Sequence, residues 1–217
     1  MPRHDPTEKT KSDILHTARR LFMEKGFEDV NIADIVSELG MTRGAFYHYF
    51  ESREMLIHAV IDQMFMETNP LAIAAEQEGL NALEKLRFAL LSAQNSGLDP
   101  GAESLRMAMT EIMTNPIIFK SEALTQVNTI APFLEKLLIE GNEDGSMSVK
   151  YPKQAAQVYS LLPNIWLTPS IFPVSLEEYV DKISFLGDMM EWMGGVPVMT
   201  DEIKTLIIQQ YEQMLQA

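Results

Sequence analysis

The sequence predicts an all-α protein with a small three-helix head at its N-terminus and a longer helical body behind it. Three observations lead there. Apolar residues recur at three- and four-residue intervals along the chain. Glycine, proline and asparagine clusters cut it into pieces of helix length. No alternating apolar–polar stretch is long enough to build a sheet.

The elements follow in order. Ile14, Leu15, Ala18, Leu21 and Phe22 form the stripe of a first helix, which Gly26 ends because an αL residue is easily accommodated there. Asn31 is a good N-cap for a second, carrying Ile32, Ile35, Val36 and Leu39 and closing at Gly40. Thr42 caps a short third helix through Phe46, Tyr47 and Phe50. Ser52 caps a fourth, with Glu54 in the first turn where the helix dipole favours an acid. Beyond it, breakers at Asn69-Pro70, Asp99-Pro100-Gly101, Asn115-Pro116, Gly141 to Gly145, Tyr151-Pro152 and Gly194 to Pro197 leave helical stretches near 81–96, 102–114, 117–140, 153–168, 175–193 and 200–216. Pro163 falls inside one of them and predicts a kink or break. The count comes to nine or ten helices.

Composition narrows the function classes. With no cysteine, the chain has neither disulfides nor thiolate metal sites. No apolar run reaches the roughly 18–20 residues of a membrane span, and the polar start lacks a secretory signal, so a cytoplasmic protein is expected. The net charge of −14 speaks at first against nucleic acid. Its distribution changes that reading: residues 1–53 hold eight basic and nine acidic side chains, while the rest of the chain has a net −13. A nucleic-acid head needs a local basic face, not a basic protein.

The informative segment is Asn31 to Arg53, NIADIVSELGMTRGAFYHYFESR. Two short helices joined at Leu39-Gly40-Met41 have the size and punctuation of a helix-turn-helix. In that motif the second helix offers its N-terminal residues to base edges in the major groove. Here it opens with Thr42, Arg43, Gly44 and Ala45. Arg43 has the two parallel donors that match guanine O6 and N7, Gly44 permits close approach, and the Ala45 methyl suits a thymine methyl. Tyr47 and His48 carry polar tips able to reach phosphates.

The run GFEDVNIADIVSELGMTRGAFYHYFESREMLI resembles the N-terminal domain of the TetR regulators. The likeness covers roughly residues 8–57 and rests on several spaced features together: the Gly-Phe after the first helix, the Ile-Ala brace, the aromatic recognition helix and the Ser-Arg-Glu start of the next helix. It implies a DNA-binding domain over 1–53 and a ligand-binding and dimerisation domain over 54–217. Position by position, it makes Asn31 a phosphate contact, puts Thr42, Arg43, Gly44 and Ala45 on base-reading positions, and puts Tyr47 and His48 on phosphates. Arg53 falls where a basic residue clamps the DNA backbone, and Phe46, Tyr49 and Phe50 pack inside the head. Met55 departs from the pattern, which often has Glu there. The implied mechanism is a two-state homodimer, with helices 153–168 and 175–193 at the interface and the fourth helix as the lever between DNA and effector sites.

Other features receive plainer readings. Glu54, His58 and Asp62 share one helix face at metal-ligand spacing, but a solvent-facing polar stripe is the expected role, so no metal and no cofactor are expected. No GxSxG, HExxH, P-loop or dinucleotide glycine pattern is present, which points away from an enzyme. Met107, Met113, Tyr159 and Trp166, with Glu111 as the polar member, are the expected lining of an effector site, because methionine forms adaptable apolar surfaces. The sparse basic residues of the body favour a mainly apolar effector, neutral or cationic, over an anionic one. Tyr159, Leu162, Trp166, Phe185, Met189 and Trp192 are the expected dimer surface. The rival to a repressor that binds double-stranded operator DNA is a helical adaptor whose helix-turn-helix serves protein contacts.

Overall fold

A computed structural model describes residues 6–96, 108 and 112–216. Eleven α-helices are found among them, and no strand. The chain divides into two compact units: of the described residues, 6–67, 108 and 112–118 belong to the first, and 68–96 with 119–216 to the second.

The first unit contains α1 (Pro6–Lys25), α2 (Ile32–Glu38), α3 (Arg43–Tyr47) and α4 (Arg53–Glu67). Its core is the set the periodicity selects: Ile14, Ala18, Leu21 and Phe22 of α1 with Ile35, Val36, Phe46, Phe50, Leu56, Ile57 and Val60, all buried. Phe22 and Phe27 stack at 4.9 Å across the Gly26 turn. The compact unit extends past residue 53 because α4 packs on α1. An exposed Arg19–Glu67 ion pair (2.6 Å) joins the same two helices.

The second unit contains α5 (Pro70–Ala75), α6 (Ala82–Ser96), α7 (Pro116–Thr125, from residue 119 onward), α8 (Ala131–Asp144), α9 (Pro152–Leu161), α10 (Leu176–Gly194) and α11 (Asp201–Gln216). Its core runs through Leu86, Leu134, Leu138, Ala156, Ile183, Leu186, Met190 and Ile203. Tyr179 and Tyr211 stack at 3.8 Å, and the Tyr211 hydroxyl donates to Val174 O at 2.6 Å. Two π-helical turns interrupt the α pattern: Gln126–Ile130 between α7 and α8, and Leu162–Trp166 after α9. Each lies at a proline, Pro132 and Pro163. A proline has no N–H to give the carbonyl four residues back and its ring crowds that carbonyl, so the turn widens to five-residue bonds, Ala131 N to Gln126 O and Leu167 N to Leu162 O. The kink expected at Pro163 takes this form.

A helix-turn-helix with an exposed arginine tip

The turn between α2 and α3 is built by backbone hydrogen bonds. Gly40 has φ +61°, and the N–H groups of Gly40 and Met41 donate to Ser37 O (3.3 Å) and Val36 O (3.0 Å). This is the paired bonding that ends a helix with a left-handed residue, a conformation glycine takes without a side-chain penalty. At the start of α2, Asn31 Oδ1 accepts from Asp34 N at 3.2 Å while Asn31 N donates to Asp34 Oδ2 at 2.9 Å. The result is a reciprocal cap. Thr42 Oγ1 accepts from Ala45 N at 3.2 Å and fixes the first turn of α3.

Phe46 and Phe50 are buried with ring centroids 5.9 Å apart and anchor α3 from inside, while Tyr49 is half-buried. The opposite face is open. Thr42, Arg43, Gly44, Ala45, Tyr47 and His48 are all exposed, Tyr47 by 50%. Arg43 has no hydrogen bond or ion pair with any described residue, whereas Arg20 is held by Glu24 and Glu38 and Arg19 by Glu67. The Glu24 and Glu38 carboxylates also raise the Arg20 pKa above its ordinary value. Gly44 is informative for a different reason. Its φ is not positive, and an added Cβ would meet only Thr42 Oγ1, at 3.9 Å. Nothing inside the described structure requires a residue without a side chain there.

Arg53 opens α4 and turns inward. Its Nε donates to Val30 O at 2.9 Å and its Nη2 to Phe27 O. Two of the three guanidinium nitrogens therefore hold the loop ahead of Asn31, and Nη1 alone lacks an acceptor among the described residues. The expectation from the motif was a contact to DNA. Sequence position gave no hint of the brace, because both carbonyls lie more than twenty residues upstream. Ser52 Oγ accepts from Met55 N at 3.2 Å. A hydrogen bond with Ser52 is also the main cause holding the Glu54 carboxyl below its ordinary pKa. The cap thus forms without a Glu at position 55.

The solvent-facing stripe expected at Glu54, His58 and Asp62 needs correction. His58 is 2% exposed, and its Nδ1 lies 3.3 Å from Asp62 Oδ2. Leu56, Ile57, Val60 and Ile61 make the buried arc of α4 wide enough to take in position 58.

The residues expected around an effector do not form one group. Met107 and Glu111 lie outside the described residues. Met113 is buried and belongs to the first unit; Tyr159 and Trp166 belong to the second. Tyr159 is 4% exposed and its hydroxyl donates to Met190 O at 2.9 Å, so it is a core residue joining α9 to α10 and not part of an external surface. That corrects its place on the expected dimer face. Trp166 is half-buried, edge-on to Phe185 at 6.0 Å, with Lys182 Nζ 5.0 Å from its ring. On α10, Phe185 and Trp192 are 58% and 84% exposed.

Comparison with known proteins agrees with this geometry. Residues 14–60, which span α1 to most of α4, match the model of bacterial regulatory proteins of the tetR family. The chain belongs to the TetR family. Two Pseudomonas putida regulators of the helix-turn-helix type, ArpR and TtgR, are 33% and 32% identical over 92 residues; the match spans 42% of this chain and 44% of each of theirs. The Escherichia coli regulator UidR is 27% identical over 191 residues, 87% of this chain and 93% of its own. The fold is shared with a TetR-family regulator from Pectobacterium atrosepticum, at TM-score 0.58 and 20% identity over 88% of this chain and 97% of that one. These relatives are transcriptional regulators and not enzymes.

Proposed function

We propose that this TetR-family chain is a ligand-responsive transcriptional repressor that binds a palindromic operator as a homodimer and leaves it when a mainly apolar effector, neutral or cationic, binds the body. The observation that carries the DNA reading is Arg43. It stands exposed and without a protein partner on the first turn of α3, beside a Gly44 whose bareness no internal contact requires. In this reading Thr42, Arg43, Gly44 and Ala45 face base edges, and Tyr47 and His48 reach phosphates. The N-terminus of α2 at Asn31 offers backbone N–H groups to another phosphate. Arg53 acts chiefly by holding the loop before Asn31. Residues 1–53 are the reading head and 54–217 the sensing and pairing part.

Two heads reading one palindrome must sit about 34–36 Å apart, or a multiple of that repeat. The exposed Phe185 and Trp192 of α10 supply the apolar surface that a stable subunit contact buries. An effector shifts the dimer only if it binds the DNA-free spacing more tightly. None of the described helices is long and apolar enough to cross a membrane, in keeping with work on DNA in the cytoplasm.

The test is a gel-shift titration of the full chain against DNA from upstream of its own gene, at several salt concentrations, with random duplex as the competitor. Selective binding that weakens with salt is the expected result. Binding no tighter than to random duplex would overturn the reading.

A further inference from the structure

A chain of polar side chains enters the interior of the second unit where its two π-helical turns approach each other. Glu122 and Gln126 are buried one turn apart. Gln126 Nε2 donates to Glu122 Oε1 at 2.7 Å. Asn164, on the other π turn and exposed, reaches in to donate from Nδ2 to Gln126 Oε1 (3.2 Å) and to Ser160 O (2.9 Å). Ser160 lies one turn before Asn164 on the same face of α9. It is 4% exposed, and its Oγ is buried with no hydrogen-bond partner.

Such groups are costly. A buried hydroxyl that makes no hydrogen bond forfeits its hydration, and a native structure keeps very few of them. π-helical turns recur at functional positions for the same reason, since they are less stable than the helix they interrupt. Here both π turns supply a member of one polar chain: Gln126 opens the first, and Asn164 lies in the second. The hydrogen-bonding inventory then defines what fits. Asn164 has both Nδ2 hydrogens in use. Gln126 has a second N–H to give, Ser160 both gives and accepts, and the Glu122 carboxylate accepts at more than one lone pair. The complement of such a mixed set is a group that donates and accepts at one atom.

We infer that Ser160, Gln126 and Glu122 form the polar end of the effector site, and that the effector is a neutral, otherwise apolar molecule carrying a hydroxyl that docks there. The inference rests on the reading of this chain as the sensor of an apolar effector and narrows it. Buried Ile130 and Leu134 continue the Glu122–Gln126 helix and provide apolar wall beside the polar end.

The experiment compares 4-propylphenol with its methyl ether, 4-propylanisole, on the full-length protein, with binding followed by intrinsic tryptophan fluorescence and by thermal shift. The ether keeps the bulk and removes the donor. The phenol is expected to bind about tenfold more tightly than the ether. Ser160→Ala and Gln126→Met are each expected to bring that ratio below about threefold, chiefly by weakening the phenol. A purely structural role for either side chain would weaken both compounds alike and leave the ratio unchanged. If Gln126→Met fails to fold, Ser160→Ala, which removes a single oxygen, decides alone. Equal binding of the two probes to the unmodified protein, or a ratio that survives both substitutions, overturns the hydroxyl site while the apolar-effector reading stands. If neither probe binds at millimolar concentration, both fall together.

Discussion

Arg53 and Val30 are 23 residues apart in the chain, yet Arg53 Nε donates to the Val30 carbonyl at 2.9 Å, directly ahead of the Asn31 cap. A charged donor on a partly buried carbonyl makes the stronger kind of hydrogen bond, and Phe27 O accepts a second from Nη2. The start of α4 thereby sets the position of the start of α2. Arg53→Ala is expected to destabilise the protein by about 1.5–3 kcal/mol, read from urea unfolding. Its effect on the salt slope of DNA binding should be smaller than the change of about one that follows loss of a phosphate contact. Unchanged stability with a slope reduced by one would restore the phosphate clamp.

Arg43 offers the opposite case, a guanidinium with no intramolecular work. Arg43→Ala should leave the unfolding curve within about 0.5 kcal/mol. It should weaken binding to the operator by about 1–3 kcal/mol. Random duplex should lose far less. Equal losses on both DNAs would make Arg43 a phosphate contact.

Trp192 stands 84% exposed on α10, with Phe185 two turns earlier on the same side. The full chain is expected to sediment as a dimer at micromolar concentration without DNA, and Trp192→Glu to shift it toward monomer. A monomeric unmodified protein would remove the basis for two-headed reading.

Tyr159 and Tyr179 tie stability to high pH. Burial raises the pKa of both; Tyr179 is pushed up to about 12, with the neighbouring Tyr211 adding to the effect. The neutral phenols are favoured in the folded state, so their contribution is complete below the unfolded value near 10 and is lost as pH rises toward the folded value. For Tyr179 the loss is about 2–3 kcal/mol between roughly pH 10 and 12. Urea unfolding at pH 9 and 11 should show the decline, and Tyr179→Phe should make it shallower. A stability that stays flat to pH 12 would contradict it.

Local interactions were legible in the sequence and distant ones were not. Asn31, Thr42 and Ser52 each cap a helix through a backbone N–H three residues ahead, so the sequence alone identifies them. The buried faces of α1 and α2 follow from spacing in the same way. Partners far along the chain leave no local trace, and so the Arg53 brace and the Tyr159–Met190 hydrogen bond emerged only from the fold. His58 was misread because a charge-bearing residue at polar spacing can still fall within a wide apolar arc. The Glu122–Gln126–Asn164 chain was missed because it joins two helices whose turns are not α-helical at the point of contact.

The π-helical turn Gln126–Ile130 also sets a rotational phase. In an α-helix each residue advances about 100° around the axis. One residue more in a turn therefore swings everything beyond it by that angle. Leu134, Leu137 and Leu138 are buried with the extra residue in place. Deleting a single residue from 127–129 would close the turn into ordinary helix while rotating those leucines off the core. The length of this helix thus works as a dial, and insertions or deletions within it should be tolerated only in compensating pairs that return the downstream face to its setting.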